Sequence, residues 1–593
     1  MKKISRKEFL KTSSLVAAVA AFNPPNLFGK LSIVTDSIDE WMLNRLVKAN
    51  DQSVERFLQS ISAPQRWQYY RNLSEAFSVF TAAFSHPESV YYESNDVLKA
   101  SDTIIDQLLG LQYPNGTLDS GGNRKSPPDT AFLLEALYPS ALILRKNETK
   151  ETASVKAKLD KFLLAAGEGI RTGGVHTPNH RWEISSVLAK LYHLYGDKKY
   201  VTRIDEWLAE GIYQNSDGNY PERSRNYAVV ENEAFMVIGE ILNRPEFFDI
   251  VSKNLTSTYY YMEPDGELVS LDSRRQDQFR PILSWKTYLP YRYMAIHENS
   301  DFFASIAREI ESFDGFDRNI LSRSLPHFMG SEILQKEMPK GQTLPTTFTK
   351  HFKDSDLVRI KRGNITVSIF GGNDLPLTVA SGRSCNPTFF TFRKGAAILE
   401  YARLSTSFFN TGYVRSEGLK KEGNTYTLHE KKEAYYYHPM PEKKRNKKGD
   451  YKLSPSLDGR FWSKMDFESR PKTTLELESK IIIEEVDNSF RMNIEVNGAE
   501  NVEVTLDLCF KDGGTFEDVL QGQNEKDFFL EGGMAKYIVG GDTIEVGPGK
   551  YEHERIRGLD GEVYSTHFGS IKGEGQHLYI TGIVPFKHSI TIK

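Results

Sequence analysis

Thr177–Pro178–Asn179–His180–Arg181–Trp182–Glu183 is the stretch whose reading decides the fold. Thr177 predicts a helix N-cap and Pro178 the first helical position. Trp182, Val187, Leu188, Leu191 and Leu194 then recur at helical spacing, and Gly196 follows as a stop. The segment therefore predicts a buried helix with an amide and an imidazole, Asn179 and His180, in its first turn. Backbone N–H groups and the helix dipole favour negative charge at such a place.

Similar signals recur on either side. Turn sequences stand at Asn115–Gly116, Gly173–Gly174, Asp217–Gly218 and Asp265–Gly266, separated by 58, 44 and 48 residues. A period of about 50 fits one helical hairpin per repeat. Ser126–Pro127–Pro128–Asp129, Asn226 before Tyr227, and Asp272–Ser273–Arg274–Arg275 read as further helix starts. If alternate helices form an inner ring, these first turns open at one mouth. Residues 36–330 are thus expected to form an (α/α) toroid.

Beyond residue 330 the helical period is lost. Pro339, Gly341 and Pro345 mark a linker over 331–352. From 353 to 593 the pattern alternates, as in Leu357–Arg362, Thr366–Ile369, Lys480–Ile483 and Phe490–Val496, with Gly, Asn and Asp between runs. The expected architecture is multidomain α + β, an N-terminal (α/α) toroid followed by a C-terminal antiparallel β-sandwich. Leu578–Ile580 and Ser589–Ile592 are expected as closing strands.

The bulk numbers bound the rest. At 593 residues the chain is too long for one compact core. A net charge of −4 with no basic domain excludes a nucleic-acid partner. The two cysteines, Cys385 and Cys509, are too few for a disulfide framework or a cysteine zinc site. Residues 1–20 read as a twin-arginine-like signal peptide: Lys2, Lys3, Arg6, Lys7 and Lys11 precede a short apolar run and the small residues Ala18 and Ala20. The run is too short to span a bilayer, so a periplasmic or secreted location is expected, by Tat or Sec. Within Pro441–Lys452, Lys443, Lys444, Arg445, Lys447 and Lys448 make either a solvated loop or a basic lip for an anionic polymer.

Two segments carry the candidate chemistry. In the first, Asn179 and His180 could hold a carboxylate, and Glu183, three residues on, could orient the imidazole. In the second, Arg223, Arg225 and Tyr227 alternate, so an extended lead-in would bring both guanidinium groups to the phenol. A tyrosine acting as a base needs such help, since its ordinary pKa is about 10. Arg275 and Gln276 fall at the next repeat's mouth, and Asp129 and Arg124 at the preceding one. All these groups suit β-elimination from a uronic acid. The carboxylate beside C5 is neutralised, a base takes the C5 proton, and an acid protonates the departing O4.

This layout resembles the heparinase II/III-like and alginate-lyase-like polysaccharide lyases. The resemblance implies that Asn179 and His180 neutralise the carboxylate and that Tyr227 acts in proton transfer. It further implies a histidine or tyrosine from the β part. Arg383 and His438, with His429 and Tyr435–Tyr437, are candidates, but none matches a family motif. The implied partner is an anionic polysaccharide or oligosaccharide. No cofactor is required. His553, His567 and His577 lack ligand spacing, although a structural metal in the β part is left open. The oligomeric state is not legible. Two other readings stand beside this one: an α/α-toroid glycoside hydrolase using carboxylates such as Asp129, Glu183 and Glu231, and a non-catalytic glycan-binding protein.

Overall fold

The computed structural model describes residues 37–61, 70–278, 282–372, 386–457, 462–556 and 574–593. The expected signal peptide, Arg383, Cys385 and His567 lie outside them, and the side chain of Gln276 is likewise not described. Residues 38–593 form one compact unit.

Twelve α-helices fill the first half of the described chain: α1 (Glu40–Ile61), α2 (Tyr70–Ser85), α3 (Asn95–Leu111), α4 (Pro127–Lys146), α5 (Ala153–Thr172), α6 (Pro178–Tyr195), α7 (Lys198–Leu208), α8 (Arg225–Ile241), α9 (Glu246–Tyr259), α10 (Tyr288–His297), α11 (Asp301–Glu311) and α12 (Ser322–Gly330). Even-numbered helices form the inner layer and odd-numbered ones the outer. The burial pattern explains the division. In α6 the run Trp182–Leu191 is buried on every side. In α11 only Phe303, Ala304, Ile306, Ala307 and Ile310 are buried, one apolar stripe with a charged back.

The repeat has a structural basis. At Gly116, Gly218 and Gly266 the backbone takes φ of 86°, 86° and 83°, open to glycine but costly for other residues. Each glycine donates to the residue three positions earlier, Tyr113, Asn215 and Glu263. A side chain at Gly116 would collide with the Ala165 carbonyl, and one at Gly218 with that of Lys253. Gln112 and Gln214 occupy equivalent places, each donating to its turn glycine and to the following outer helix, at Phe162 and Ile250. Gly173 departs from the pattern: it ends α5 with φ −83° and ψ 179°.

Helix starts differ from expectation in two places. Ser224 rather than Asn226 caps α8, its hydroxyl accepting from the Tyr227 N–H. After Arg275 comes no α-helix but a 3-10 turn at Gln276–Gln278 and a short strand, Ile282–Leu283, before α10 begins at Tyr288. Arg275 therefore sits in a loop.

The second half is two large sheets. Nine strands follow the order Leu520–Gln521, Asp527–Phe529, Gln576–Ile583, Glu503–Phe510, Ala397–Thr406, Phe390–Lys394, Ile365–Phe370, Leu357–Arg362, Thr347–Phe352. All pairs are antiparallel except Asp527–Phe529 with Gln576–Ile583. Eight strands form the other sheet, with Thr425–Tyr437, Lys472–Val486, Ser489–Gly498 and Phe586–Ile592 consecutive within it. Apolar residues between the sheets, among them Val367, Phe392, Leu404, Ile481, Ile494 and Leu506, make a continuous core. The closing runs prove internal to the sheets. The strand Thr347–Phe352 begins inside the expected 331–352 linker, because it completes the nine-stranded sheet against Leu357–Arg362.

The outer face of the nine-stranded sheet meets the rim of the helical ring. Arg359 reaches Glu263 at 2.7 Å and the Tyr260 carbonyl at 3.2 Å. Arg393 reaches Asp265 at 2.8 Å. Asp217 accepts from the N–H groups of Lys353 and Asp354, and Phe352 stacks on Tyr261 at 4.2 Å. These rim residues belong to the turns that lead into α8 and toward α10. The sheet thus lies against the same rim onto which the inner helices open.

Candidate active site

Thr177 and Pro178 turn the chain into α6, which buries Asn179 completely. The Asn179 Nδ2 donates to Glu222 at 2.6 Å and to the Thr177 hydroxyl at 3.3 Å. Its Oδ1 is buried with no partner. Glu222 also binds the Arg275 guanidinium. Arg275 lies over the ring of Tyr227, 4.4 Å from its centre, and its Nη2 is 3.4 Å from the phenol oxygen. Asn179, Glu222, Arg275 and Tyr227 are thus one connected constellation, with Tyr227 half-buried in the first turn of α8.

His180 completes the mouth. Its ring meets His176 edge-on at 4.7 Å and Phe132 at 6.0 Å. Burial, then the His176 and Arg275 charges, lower its pKa to about 4, so the imidazole is neutral near pH 7. Its Nδ1 is buried and unpartnered. Asp129 faces the same region from α4. Burial alone would raise its carboxyl, but bonds from Asn123, Ser126 and Arg71 outweigh that and hold it below the usual range.

Four expectations are corrected. Arg225 does not flank Tyr227. It is buried in a two-oxygen ion pair with Asp272, over the Tyr261 ring at 3.7 Å. Arg223, at φ 48°, turns the other way and reaches the Asp354 carbonyl in the β part. The alternation rule assumed an extended lead-in, and the left-handed residue breaks it. Glu183 does not orient His180 either. Its buried carboxyl, pushed well above the usual range by burial and by Glu135, lies within electrostatic reach of Glu135, Lys190 and Glu233, and Oε1 has no partner. His438 stands at the end of the eight-stranded sheet, where its Nε2 pairs with the Thr473 hydroxyl at 2.7 Å. Among the described residues none of its bonds reaches the helical ring.

Sequence reasoning missed Glu222. The signal was its place beside Pro221, one residue before the left-handed turn. It did not foresee the β-part contact at Asn386 either, whose Nδ2 donates to the Gln278 carbonyl at 2.9 Å, next to Arg275.

Phe132 and Arg71 line a pocket of about 660 Å³ together with Glu135, Lys190, Glu233, His193 and His327. Burial raises the Glu233 pKa to about 8 and lowers that of His327 to about 4, so neutral forms predominate there beside the Lys190–Glu135 pair. Among the described residues no group of three or more His, Cys, Asp or Glu is placed to hold a metal ion. Cys509 is a buried free thiol 3.9 Å from His577. No described helix is long and apolar enough to cross a membrane.

No protein-family model and no curated protein sequence matches the chain. Solved structures do. The chondroitin AC lyase of Streptomyces coelicolor A3, in complex with chondroitin sulphate, is similar over 93% of this chain and 79% of its own, with 12% identity and a TM-score of 0.50. Heparinase III is similar over 87% of this chain and 75% of its own, with 12% identity and a TM-score of 0.53. The chain has the fold of these polysaccharide lyases, a helical toroid followed by a large antiparallel β part.

Proposed function

We propose that this protein is an exported polysaccharide lyase that cleaves a uronic-acid-containing glycan by β-elimination. The observation that carries the reading is the pair of buried, unpartnered atoms, Asn179 Oδ1 and His180 Nδ1, beside an arginine held against a tyrosine. A buried polar atom without a partner is costly, and a ligand carboxyl at the mouth would satisfy both.

The chain's own bonds refine the role of Asn179. Glu222 already takes its Nδ2, so the atom left for the substrate is an acceptor. An amide oxygen suits a carboxyl that carries a proton, and such a carboxyl spares the reaction a dianionic enolate. Arg275 supplies the positive charge next to the reacting carbon, although Glu222 shares it.

The elimination then balances as follows. The C5–H bond breaks and its electrons form the C4–C5 double bond. The C4–O4 bond breaks and the leaving oxygen takes a proton. Where C5–H and O4 share a face of the sugar, Tyr227 performs both transfers. Where they lie on opposite faces, neutral His180 takes the proton and Tyr227 supplies one. The hydrolase alternative is less well supported. Asp129 is locked to Arg71, Asn123 and Ser126, while Glu183 and Glu231 are buried carboxyls pushed well above their usual range by burial.

The testing experiment incubates the protein with chondroitin sulphate, heparan sulphate, alginate, glucuronan and rhamnose–glucuronate gum and follows absorbance of the unsaturated product. Chain shortening without new ultraviolet absorbance would point to hydrolysis. Affinity without turnover would leave a binding protein.

A further inference from the structure

The strands Thr425–Tyr437 and Lys472–Val486 are joined by residues 438–471, whose described parts, 438–457 and 462–471, contribute no strand to the eight-stranded sheet. This insertion holds nine Lys or Arg against five Asp or Glu, in a chain whose net charge is −4. Lys443, Lys447 and Lys448 are exposed, and none has a carboxylate partner among the described residues. Arg445 donates its Nε to the Met440 carbonyl and Lys444 donates to the Ser469 hydroxyl, and neither has a carboxylate partner among the described residues.

Aromatic rings lie within or next to this insertion in the chain. Trp462 is 62% exposed and Tyr436 60% exposed. Phe409 braces Tyr436 at 5.5 Å, and Phe467 stacks on Tyr437 at 4.4 Å. Lys472 lies 3.4 Å from the centre of the Tyr435 ring. Large exposed rings held rigid by their neighbours cost little entropy on binding and offer flat faces to sugar rings. Cations near them in the chain suit a repeating negative charge.

A chain of contacts joins this tip to the mouth. Gln278 Nε2 donates to the Arg275 carbonyl, and the Gln278 carbonyl accepts from Asn386. The Asn386 Oδ1 accepts from the Thr388 N–H, and the Thr388 hydroxyl from Arg403. Arg403 lies 5.6 Å from the centre of the Tyr413 ring, and the Tyr413 carbonyl accepts from Lys432. From Lys432 the strand runs five residues to Tyr437, ~17 Å.

We propose that residues 438–457 and 462–471, with Tyr435 and Tyr437, form an accessory surface that tethers an anionic polysaccharide outside the cleft. The ligand class rests on the function proposed above. The surface itself stands on its own charge and aromatic content.

The test uses the full chain carrying Tyr227→Phe, so that glycan binds without turnover. Retention on chondroitin sulphate, alginate and neutral dextran is measured by affinity electrophoresis at rising NaCl. Retention on an anionic glycan that falls with salt is expected, with little on dextran. K443S/K447S/K448S should weaken it about tenfold, the summed effect of three exposed ion pairs, and Trp462→Ala should weaken it separately. With Tyr227 intact, the triple variant should raise KM for polymer and leave turnover of a short oligosaccharide unchanged. Unchanged retention in the triple variant overturns the proposal. So does tighter binding to phosphatidylserine vesicles than to any glycan, which would make the tip a membrane contact. Tip-dependent retention together with no unsaturated product from the chain with Tyr227 intact on any uronate glycan would sink the lyase reading and uphold the tether.

Discussion

The guanidinium of Arg275 lies face-on to the ring of Tyr227, 4.4 Å from its centre, with Nη2 3.4 Å from the phenol oxygen. One residue from a loop and one from the first turn of a helix, 48 positions apart, share a contact that neither local sequence encodes. A cation in this position stabilises negative charge on the phenol oxygen or on the enolate beside it. Tyr227→Phe should therefore lower kcat by about 10³-fold, within the range of a lost general acid or base, while glycan binding and the melting temperature stay near those of the parent. Near-normal turnover in the phenylalanine variant would remove Tyr227 from the mechanism.

Glu222 fixes both the Asn179 amide and the Arg275 guanidinium. Glu222→Gln keeps the shape but replaces an acceptor with a donor, so one of the two contacts is lost. A small misplacement at a reacting centre costs about 10²-fold. We expect that loss in kcat with little change in KM or in thermal stability. A change confined to stability would reduce Glu222 to a structural ion pair.

Asn179→Ala removes the buried acceptor and leaves Glu222 with one donor fewer. Activity on uronate substrates should fall by about 10² to 10³-fold. Asn179→Asp is the sharper comparison. A second carboxylate beside Glu222 opposes entry of the uronate, which is ionised in solution, so its KM should rise more than that of the alanine variant. Steady-state kinetics on the glycan found in the screen decides the point.

Arg225→Met tests the reassignment of that arginine. The change leaves Asp272 buried and unpaired, a loss of about 3 to 5 kcal/mol in unfolding free energy. The folded fraction should retain its kcat at a temperature where it is stable. A selective loss of kcat in fully folded protein would return Arg225 to the site.

Stability should depend on pH from both sides. His180 and His327 have pKa values lowered to about 4, chiefly by burial. Between that value and the ordinary 6.5 the unfolded chain binds more protons, so stability rises with pH across this window and is lost as pH falls through it. His577 is opposite. Burial opposes its charge, but the bond to Asp507 at 2.9 Å outweighs it and raises its pKa to about 10. Its contribution is fully present below 6.5 and is lost as pH rises toward 10. Denaturant unfolding from pH 4 to 10 should show both flanks; Asp507→Asn should remove the His577 share of the alkaline one, leaving the loss across pH 4.5 to 8 that comes from Glu233, whose pKa burial raises to about 8.

Much of the fold was legible because it rests on local rules. The alternation of Leu357–Arg362 and Phe490–Val496 marks strands, since side chains on a strand point to opposite faces. The glycines at 116, 218 and 266 mark the repeat, since each turn needs a backbone that other residues avoid. Thr177–Glu183 marks an inner helix, because its proline start leads into an apolar run wide enough to bury every face. Of the candidate site, only the placing of Asn179, His180 and Tyr227 in the first turns of inner helices was legible. Arg275 was located by repeat spacing, but its loop, and hence its reach over Tyr227, was not. Arg223 and Arg225 were misplaced because one left-handed residue reverses the direction of a side chain and leaves no mark in composition. Glu222 and Asn386 act through partners 43 to 108 residues away. Sequence alone determined which elements form and which residues begin them, because propensity and periodicity act within a few residues. Only the tertiary structure decided which charges meet and which polar atoms stay unpaired, because those depend on chain segments that folding brings together.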